Sequence, residues 1–257
     1  MKLIFISDIV GQLGRNIVKN KLPDLIAENK PDIVIANAEN AAGGKGLTPQ
    51  TAKELFECGI NVITLGNHAF DRHEVFDILG DCRVLRPANY PQSVAGKGYG
   101  VFVLPDGKKI AVINLIGRVH MPITDCPFAA ADRIIEKVLK ETKNIFVDFH
   151  AEATSEKNAM GLYLDGRVSA IVGTHTHIPT ADERVLPKGT AYITDAGMTG
   201  PSEGVIGTDA KLVIQKFVTG IHKHFVLAKG KSSFQGCIIE TGNDGKALSI
   251  KRFSGHE

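Results

Sequence analysis

The 257-residue sequence predicts an α/β fold, and three observations carry that prediction. Short apolar runs rich in β-branched residues alternate with stretches whose apolar positions recur at helical spacing through the early part of the chain. From Tyr99 onward the pattern shifts to apolar runs joined by turn residues, the mark of antiparallel pairing. One apolar run after another stops at a polar residue of a metal-binding type, so the same end of several strands carries ligand-type side chains. No internal repeat, linker or low-complexity run interrupts the chain, which predicts one domain over residues 1–257.

Lys2 to Ser7 is the first predicted strand, with Asp8 at its carboxyl end. Gly11 to Arg15 opens a helix carrying Ile17, Val18, Leu22, Leu25 and Ile26 at helical spacing, and its free amides with Arg15 are candidates for holding an anion. Gly11 and Gly14 fall short of the G-x-G-x-x-G dinucleotide fingerprint, so a turn and helix cap is the simpler reading. Pro31-Asp32 breaks that helix, and Ile33 to Ala36 forms a buried strand ending in Asn37-Ala38-Glu39-Asn40. The loop from Gly43 and Gly44 through Lys45-Gly46 either closes over a ligand or simply links; Thr48 and Pro49 then read as N-cap and first helical residue of a helix through Phe56. Asn61 to Leu65 is a third strand, ending in Gly66-Asn67-His68.

A short helix around Glu74 to Leu79 and a strand near Val84-Leu85 follow. Tyr99 to Val103 and Ile110 to Leu115 form a hairpin across Pro105-Asp106-Gly107-Lys108. A helix from about Ala129 to Leu139 leads to the strand Ile145 to Phe149, which ends at His150. Val168 to Val172 runs into Gly173-Thr174-His175-Thr176-His177, and two imidazoles at i and i+2 past a strand end can face one pocket. Ala191 to Thr194, a helix near Ala210 to Phe217 and two strands joined by Asn243-Asp244-Gly245 close a second sheet.

Composition excludes several classes. With 43% hydrophobic and 23% charged residues the chain builds a sizeable core and is neither disordered nor fibrous. A net charge of +2 gives no reason to expect a groove of the kind a nucleic-acid coating protein needs, so no stable nucleic-acid complex is expected, whereas a small phosphorylated substrate is compatible. Cys58, Cys82, Cys126 and Cys237 are scattered without a C-x-x-C pair, which argues for reduced thiols rather than a zinc or disulfide framework. The few apolar residues before Ser7 are too short for a signal or membrane segment, and a cytoplasmic protein without a membrane partner is expected.

Asp8, Glu39, Asn40, Asn67, His68, His150, His175 and His177 all fall at strand ends, where open α/β sheets place their ligands. Carboxylates in that position need a partner, since an ionised group directly after a buried strand is otherwise costly. Asn40 also suits a turn, and His150 after Phe149 also suits a satisfied core histidine; the shared position favours ligation for both. Thr174 and Thr176 are read as spacers that orient the imidazoles, and Asp148 is expected to face away from the pocket by strand alternation. His73, His120, His222, His224 and His256 fit no strand-end pattern. Two carboxylates, three imidazoles and amide oxygens exceed one tetrahedral zinc and suffice for two ions sharing a carboxylate.

In order and spacing, Asp8, Glu39-Asn40, Gly66-Asn67-His68, His150 and Gly173 to His177 resemble the five-motif signature of calcineurin-like metallophosphoesterases, over essentially the whole chain. The first motif is Asp8-Ile9-Val10, without the usual His, and the second is Asn37-Ala38-Glu39-Asn40 in place of Gly-Asp; both resemble the YmdB-type bacterial branch. The resemblance implies a metallophosphoesterase-type four-layer αββα sandwich with two mixed β-sheets. It implies that Glu39 bridges two metal ions, that Asp8 and His177 hold the first with Asn40 assisting, and that Asn67, His150 and His175 hold the second. It implies hydrolysis of cyclic nucleotides, notably 2′,3′-cyclic AMP or GMP, with His68 left unligated. On that basis in-line attack by a metal-bridging hydroxide with His68 as general acid is expected, and the glycine loop and helix start make Arg15, Gly43 and Gly44 the substrate-binding candidates. Iron or manganese is expected ahead of zinc, and a homo-oligomer ahead of a monomer. The competing readings are a phosphomonoesterase or nuclease on the same site, and a metal-stabilised regulatory protein, which has no need of an unligated His68.

Overall fold

In the computed structural model, which describes residues 1–257, β1 (Lys2–Ile6), α1 (Gly11–Asn29), β2 (Ile33–Asn37), α2 (Pro49–Glu57) and β3 (Val62–Thr64) alternate as expected. A single 3₁₀ turn at His73–Asp77 replaces the expected helix there and leads to β4 (Val84–Leu85). These four strands lie side by side in parallel, β1-β2-β3-β4. Covered on both faces, β1 and β2 have almost no exposed residue, which is why their sequences are continuous apolar runs.

The hairpin is β5 (Tyr99–Val103) and β6 (Lys109–Ile116), and α3 (Pro127–Val138) starts where Pro127 occupies the first helical turn. After β7 (Ile145–His150) comes α4 (Thr154–Leu164), which sequence reading missed. Its buried Met160 and Leu164 are interrupted by the exposed Leu162 and Tyr163, and Ala153 at its start offers no side-chain cap. β8 (Ala170–Thr174), β9 (Arg184–Val185) and β10 (Ala191–Ile193) complete a six-stranded sheet of order β5-β6-β7-β8-β10-β9. β11 (Gly200–Pro201), α5 (Ala210–Thr219), β12 (Ser232–Thr241) and β13 (Ala247–His256) follow, and β12 returns antiparallel to β1 to make the first sheet seven-stranded.

Three apolar layers hold four layers of structure together. Ile17, Leu22 and Leu55 of α1 and α2 pack on the outer face of the first sheet. Phe5, Ile35 and Val62 meet Phe146, Val172 and Ile193 between the sheets, with the Phe5 and Phe146 rings 5.2 Å apart. Ile135 of α3 and Met160 of α4 pack on Val147, Phe149 and Ile171. The result is the αββα sandwich, with both sheets mixed and the strand ends that carry the polar residues opening at one edge of the seam between them.

Candidate metal centre

Each ligand-type side chain is placed by the backbone around it. The Asp8 carbonyl accepts from the Thr199 N–H (2.9 Å) and the Ile9 N–H donates to the Asn37 carbonyl (2.9 Å), which ties the end of β1 to its neighbours. The Asn37 side chain accepts from the Glu39 N–H at 3.1 Å, turning the chain so that Glu39 points inward. Gly66 lets Asn67 and His68 pass close: a Cβ there would collide with the Glu39 carboxylate and the His150 ring. Gly173 does the same for β8, since a Cβ would strike the Thr194 carbonyl. His175 and His177 sit at φ of 101° and 65°, a backbone region that side-chain-bearing residues seldom adopt. Such conformations cost about 1–3 kcal/mol each and cluster at functional sites.

The side chains converge on one point. His150 Nε2 lies 3.0 Å from Glu39 Oε1, 3.0 Å from Asn67 Oδ1 and 3.1 Å from His175 Nδ1. Asn40 Nδ2 is 3.2 Å from Glu39 Oε1 and 3.4 Å from His177 Nε2, and that nitrogen is 3.7 Å from Asp8 Oδ1. Glu39, His150 and His175 offer donor atoms within 4.8 Å of one another, the closeness a cation requires. Asp8 Oδ1 is buried and without a hydrogen-bond partner. A carboxylate oxygen in that state costs free energy unless a cation meets it, so the donor set fits a metal. The centre opens on a cavity of about 280 Å³ bounded by Glu39, His68, His177, Ile206 and Leu227 among others.

Electrostatics report the same crowding. Burial raises the Asp8 carboxyl to about 6 against the pull of His150 and His177. Burial opposes ionisation of Glu39 too, but His150 and the His68 N–H hold it at about 2. For His150 burial is outweighed by Glu39, with Asp8 and Asp148 adding, and its value rises to about 9; burial and the charge on His150 take His175 down to about 3. Between pH 6.5 and 9 the folded metal-free chain therefore keeps a proton on His150 that the unfolded chain has lost, so stability falls as pH rises through that window. A cation held through His150 would displace that proton, so the gain in melting temperature on adding manganese should grow over the same range. Thermal unfolding of chelator-treated protein across it, with and without manganese, checks both; a flat profile would count against the assignment.

Other expected residues lie differently. Arg15 is buried; its guanidinium meets Glu54 at 2.8 Å, the Ala41 carbonyl at 2.5 Å and Gln12. It thus pins the base of the glycine loop and does not line the cavity, and the Gly11 N–H is taken by the Asn40 carbonyl, so the helix start is not an anion cradle. Gly44 reaches the cavity wall, and Gly43 lines the groove beside it. His68 lines the cavity with Nδ1 paired to Asp71 Oδ2 at 2.8 Å. His73, His120, His222, His224 and His256 stand outside the centre.

The expectation for Asp148 is corrected. Residues two apart share a strand face, so Asp148 points the same way as His150, one layer deeper, and Phe149 is the residue that points away. Asp148 accepts from Asn37 Nδ2 (3.0 Å), Thr64 Oγ1 (2.5 Å) and Thr174 Oγ1 (2.7 Å), and Thr174 Oγ1 contacts His150 Nδ1 at 2.9 Å. Thr174 thus orients the His150 ring from behind and links it to the Asp148 carboxylate, the kind of group that fixes metal-binding imidazoles. Thr176 bonds Asp195 Oδ2 at 2.8 Å, and Asp195 forms a buried pair with Lys157 at 2.6 Å beneath the His175–His177 turn. Glu152 Oε2, 3.0 Å from His175 Nε2, was also missed; it stands two residues past His150, and Asp195 lies just past the end of β10 much as Asp8 lies past β1.

The chain is similar to known proteins over nearly its whole length. The family described as YmdB-like protein matches residues 4–253. A 2′,3′-cyclic-nucleotide 2′-phosphodiesterase of Bacillus subtilis (strain 168) is 49% identical over 254 residues, 98% of this chain and 96% of that protein. Among solved structures, a hypothetical protein from Thermus thermophilus superposes with TM-score 0.95 at 41% identity over 100% of both chains. A novel phosphatase from Mycoplasma pneumoniae superposes with TM-score 0.93 at 40% identity, over 100% of this chain and 93% of that one.

Proposed function

The chain belongs to the YmdB-like family, and from that premise we propose that this phosphodiesterase hydrolyses nucleoside 2′,3′-cyclic phosphates with the help of two metal ions. The observation that carries the reading is the position of Glu39, buried between an Asn67, His150 and His175 group on one side and an Asn40, His177 and Asp8 group on the other. In this reading Glu39 is shared, Asp8 and His177 with Asn40 hold one ion, and Asn67, His150 and His175 hold the other. Mixed imidazole and carboxylate donors without thiolate suit iron or manganese. Ions in such a pair supply Lewis-acid stabilisation of phosphoryl charge and lower the pKa of water.

The chain's own groups do the rest. Asp71 fixes the His68 ring through Nδ1, which leaves Nε2 to serve substrate in the cavity. As water adds to phosphorus and the bond from phosphorus to the ribose 2′ oxygen breaks, His68 gives that oxygen its proton, the attacking water gives up a proton to solvent, from which His68 is reprotonated, and a 3′-phosphate is left. Val10, Ile206 and Leu227 give the cavity an apolar stretch of wall. The test is turnover of 2′,3′-cyclic AMP beside 3′,5′-cyclic AMP, bis-p-nitrophenyl phosphate and p-nitrophenyl phosphate with added manganese. The 2′,3′-cyclic substrate should rank first. A fastest p-nitrophenyl phosphate would indicate a phosphomonoesterase, and no turnover by protein holding two ions would favour the regulatory reading.

A further inference from the structure

Beside the metal cavity runs a second, larger one of about 570 Å³, and Gly44, Lys45, Thr208 and Leu227 line both. Leu227 packs on Gly44, where a Cβ would collide with it, so the two cavities are neighbours across a shared wall. The groove is walled by Lys45, Arg72, His222, Lys223, His224 and Phe225, and none of the residues lining it is acidic. In a chain of net charge +2 this is a local concentration of one sign, and a cleft of one sign focuses a field on a ligand of the other. Arg72 also donates to the Ala42 carbonyl at 3.1 Å and the Lys45 carbonyl at 3.3 Å, which fixes the glycine loop as one bank of the groove. The other bank is tied down by the Asp209 N–H to the Val226 carbonyl (2.9 Å) and the Ala228 N–H to the Gly207 carbonyl (2.9 Å). Phe225 presents a half-exposed ring there, with the His222 ring centroid 6.4 Å away.

Cationic side chains beside exposed rings are the means by which proteins hold single-stranded nucleotides, charges tracking phosphate and rings stacking on bases. A terminal 2′,3′-cyclic phosphate leaves the ribose one direction in which a chain can continue, through its 5′ oxygen. A chain leaving the metal cavity by that oxygen carries phosphates, which an adjoining cationic groove would attract. We propose that this groove binds the nucleotides preceding a 2′,3′-cyclic phosphate end, so that the substrate class extends from mononucleotides to short RNA oligonucleotides with that terminus. The inference rests on the cyclic-phosphate reading of the metal cavity and adds to it the identity of what lies upstream.

The test compares kcat/KM for 2′,3′-cyclic AMP with that for a triadenylate ending in a 2′,3′-cyclic phosphate, at low and high salt, in the wild type, Lys223→Glu and Phe225→Ala. The trinucleotide should be better by about tenfold or more, the scale of one stacked base. That advantage should shrink with salt as phosphate contacts weaken. In each variant the ratio between the two substrates should fall toward one. A wild-type ratio at or below one, or a ratio untouched by both variants, overturns the inference while leaving mononucleotide turnover and the reading beneath it intact. Turnover of neither substrate by metal-loaded protein removes that reading, and the inference with it.

Discussion

Glu39→Gln is expected to lose bound metal and about 10³-fold or more in phosphodiester turnover while keeping the fold. A metal pair supplies several kcal/mol of transition-state stabilisation, and each 1.4 kcal/mol is about tenfold in rate. The substitution preserves volume, so no cavity opens at this buried position. It fails for electrostatic reasons. Glu39 now accepts from the His68 N–H at 2.9 Å and from Asn40 Nδ2 at 3.2 Å, and it lies 3.0 Å from His150 Nε2. A neutral amide removes the charge that offsets His150 and turns an NH₂ toward groups that themselves donate. Metal analysis of the purified variant, circular dichroism and turnover of bis-p-nitrophenyl phosphate check it. A variant that keeps two ions and its activity would end the shared-carboxylate assignment.

His68→Ala is expected to cost roughly 10²- to 10⁴-fold on 2′,3′-cyclic AMP, the usual worth of a positioned general acid. It should cost far less on bis-p-nitrophenyl phosphate, whose leaving group departs without a proton. The His68 side chain contacts Asp71 and lines the cavity, and stands outside the close Glu39, His150 and His175 donor group, so metal content should be unchanged. This separates it from Glu39→Gln, where both substrates and the metal are lost together. An equal loss on both substrates would show that His68 binds or orients substrate and does not deliver a proton.

How far the sequence discloses this site depends on the kind of signal. Buried parallel strands are apolar along most of their length, so polar residues at or just past a strand end stand out, which makes Asp8, Glu39, Asn67 and His150 visible as candidates. Their meeting point was not, because it depends on how the two sheets pack against each other, and neither sheet's order can be read from spacing. Asp148 faces the pocket side because it stands two residues from His150 in β7, and such residues share a strand face. Lys157 and Asp195 were hidden because a buried ion pair joins positions in sequence that give no local sign of each other. Helix α4, which carries Lys157, showed no clean apolar stripe for a related reason: its inward face includes a charged side chain. Arg15 looked like an anion holder, but Glu54 and the Ala41 carbonyl claim it, and those partners are set by how α1 and α2 cross.

The candidate ligands come from both sheets, Asp8 and Glu39 from the first and His150 and His175 from the second. The site therefore exists only once the two halves of the sandwich have docked, and its outermost members, Asp8 and His177, are distant in sequence. A cation held there would act as a reversible rivet across the seam. Interactions that form after the folding transition state slow unfolding and leave the folding rate nearly untouched. If the sheets dock after that transition state, such a rivet lengthens the life of the folded chain without hastening its formation, by an amount that rises with free cation.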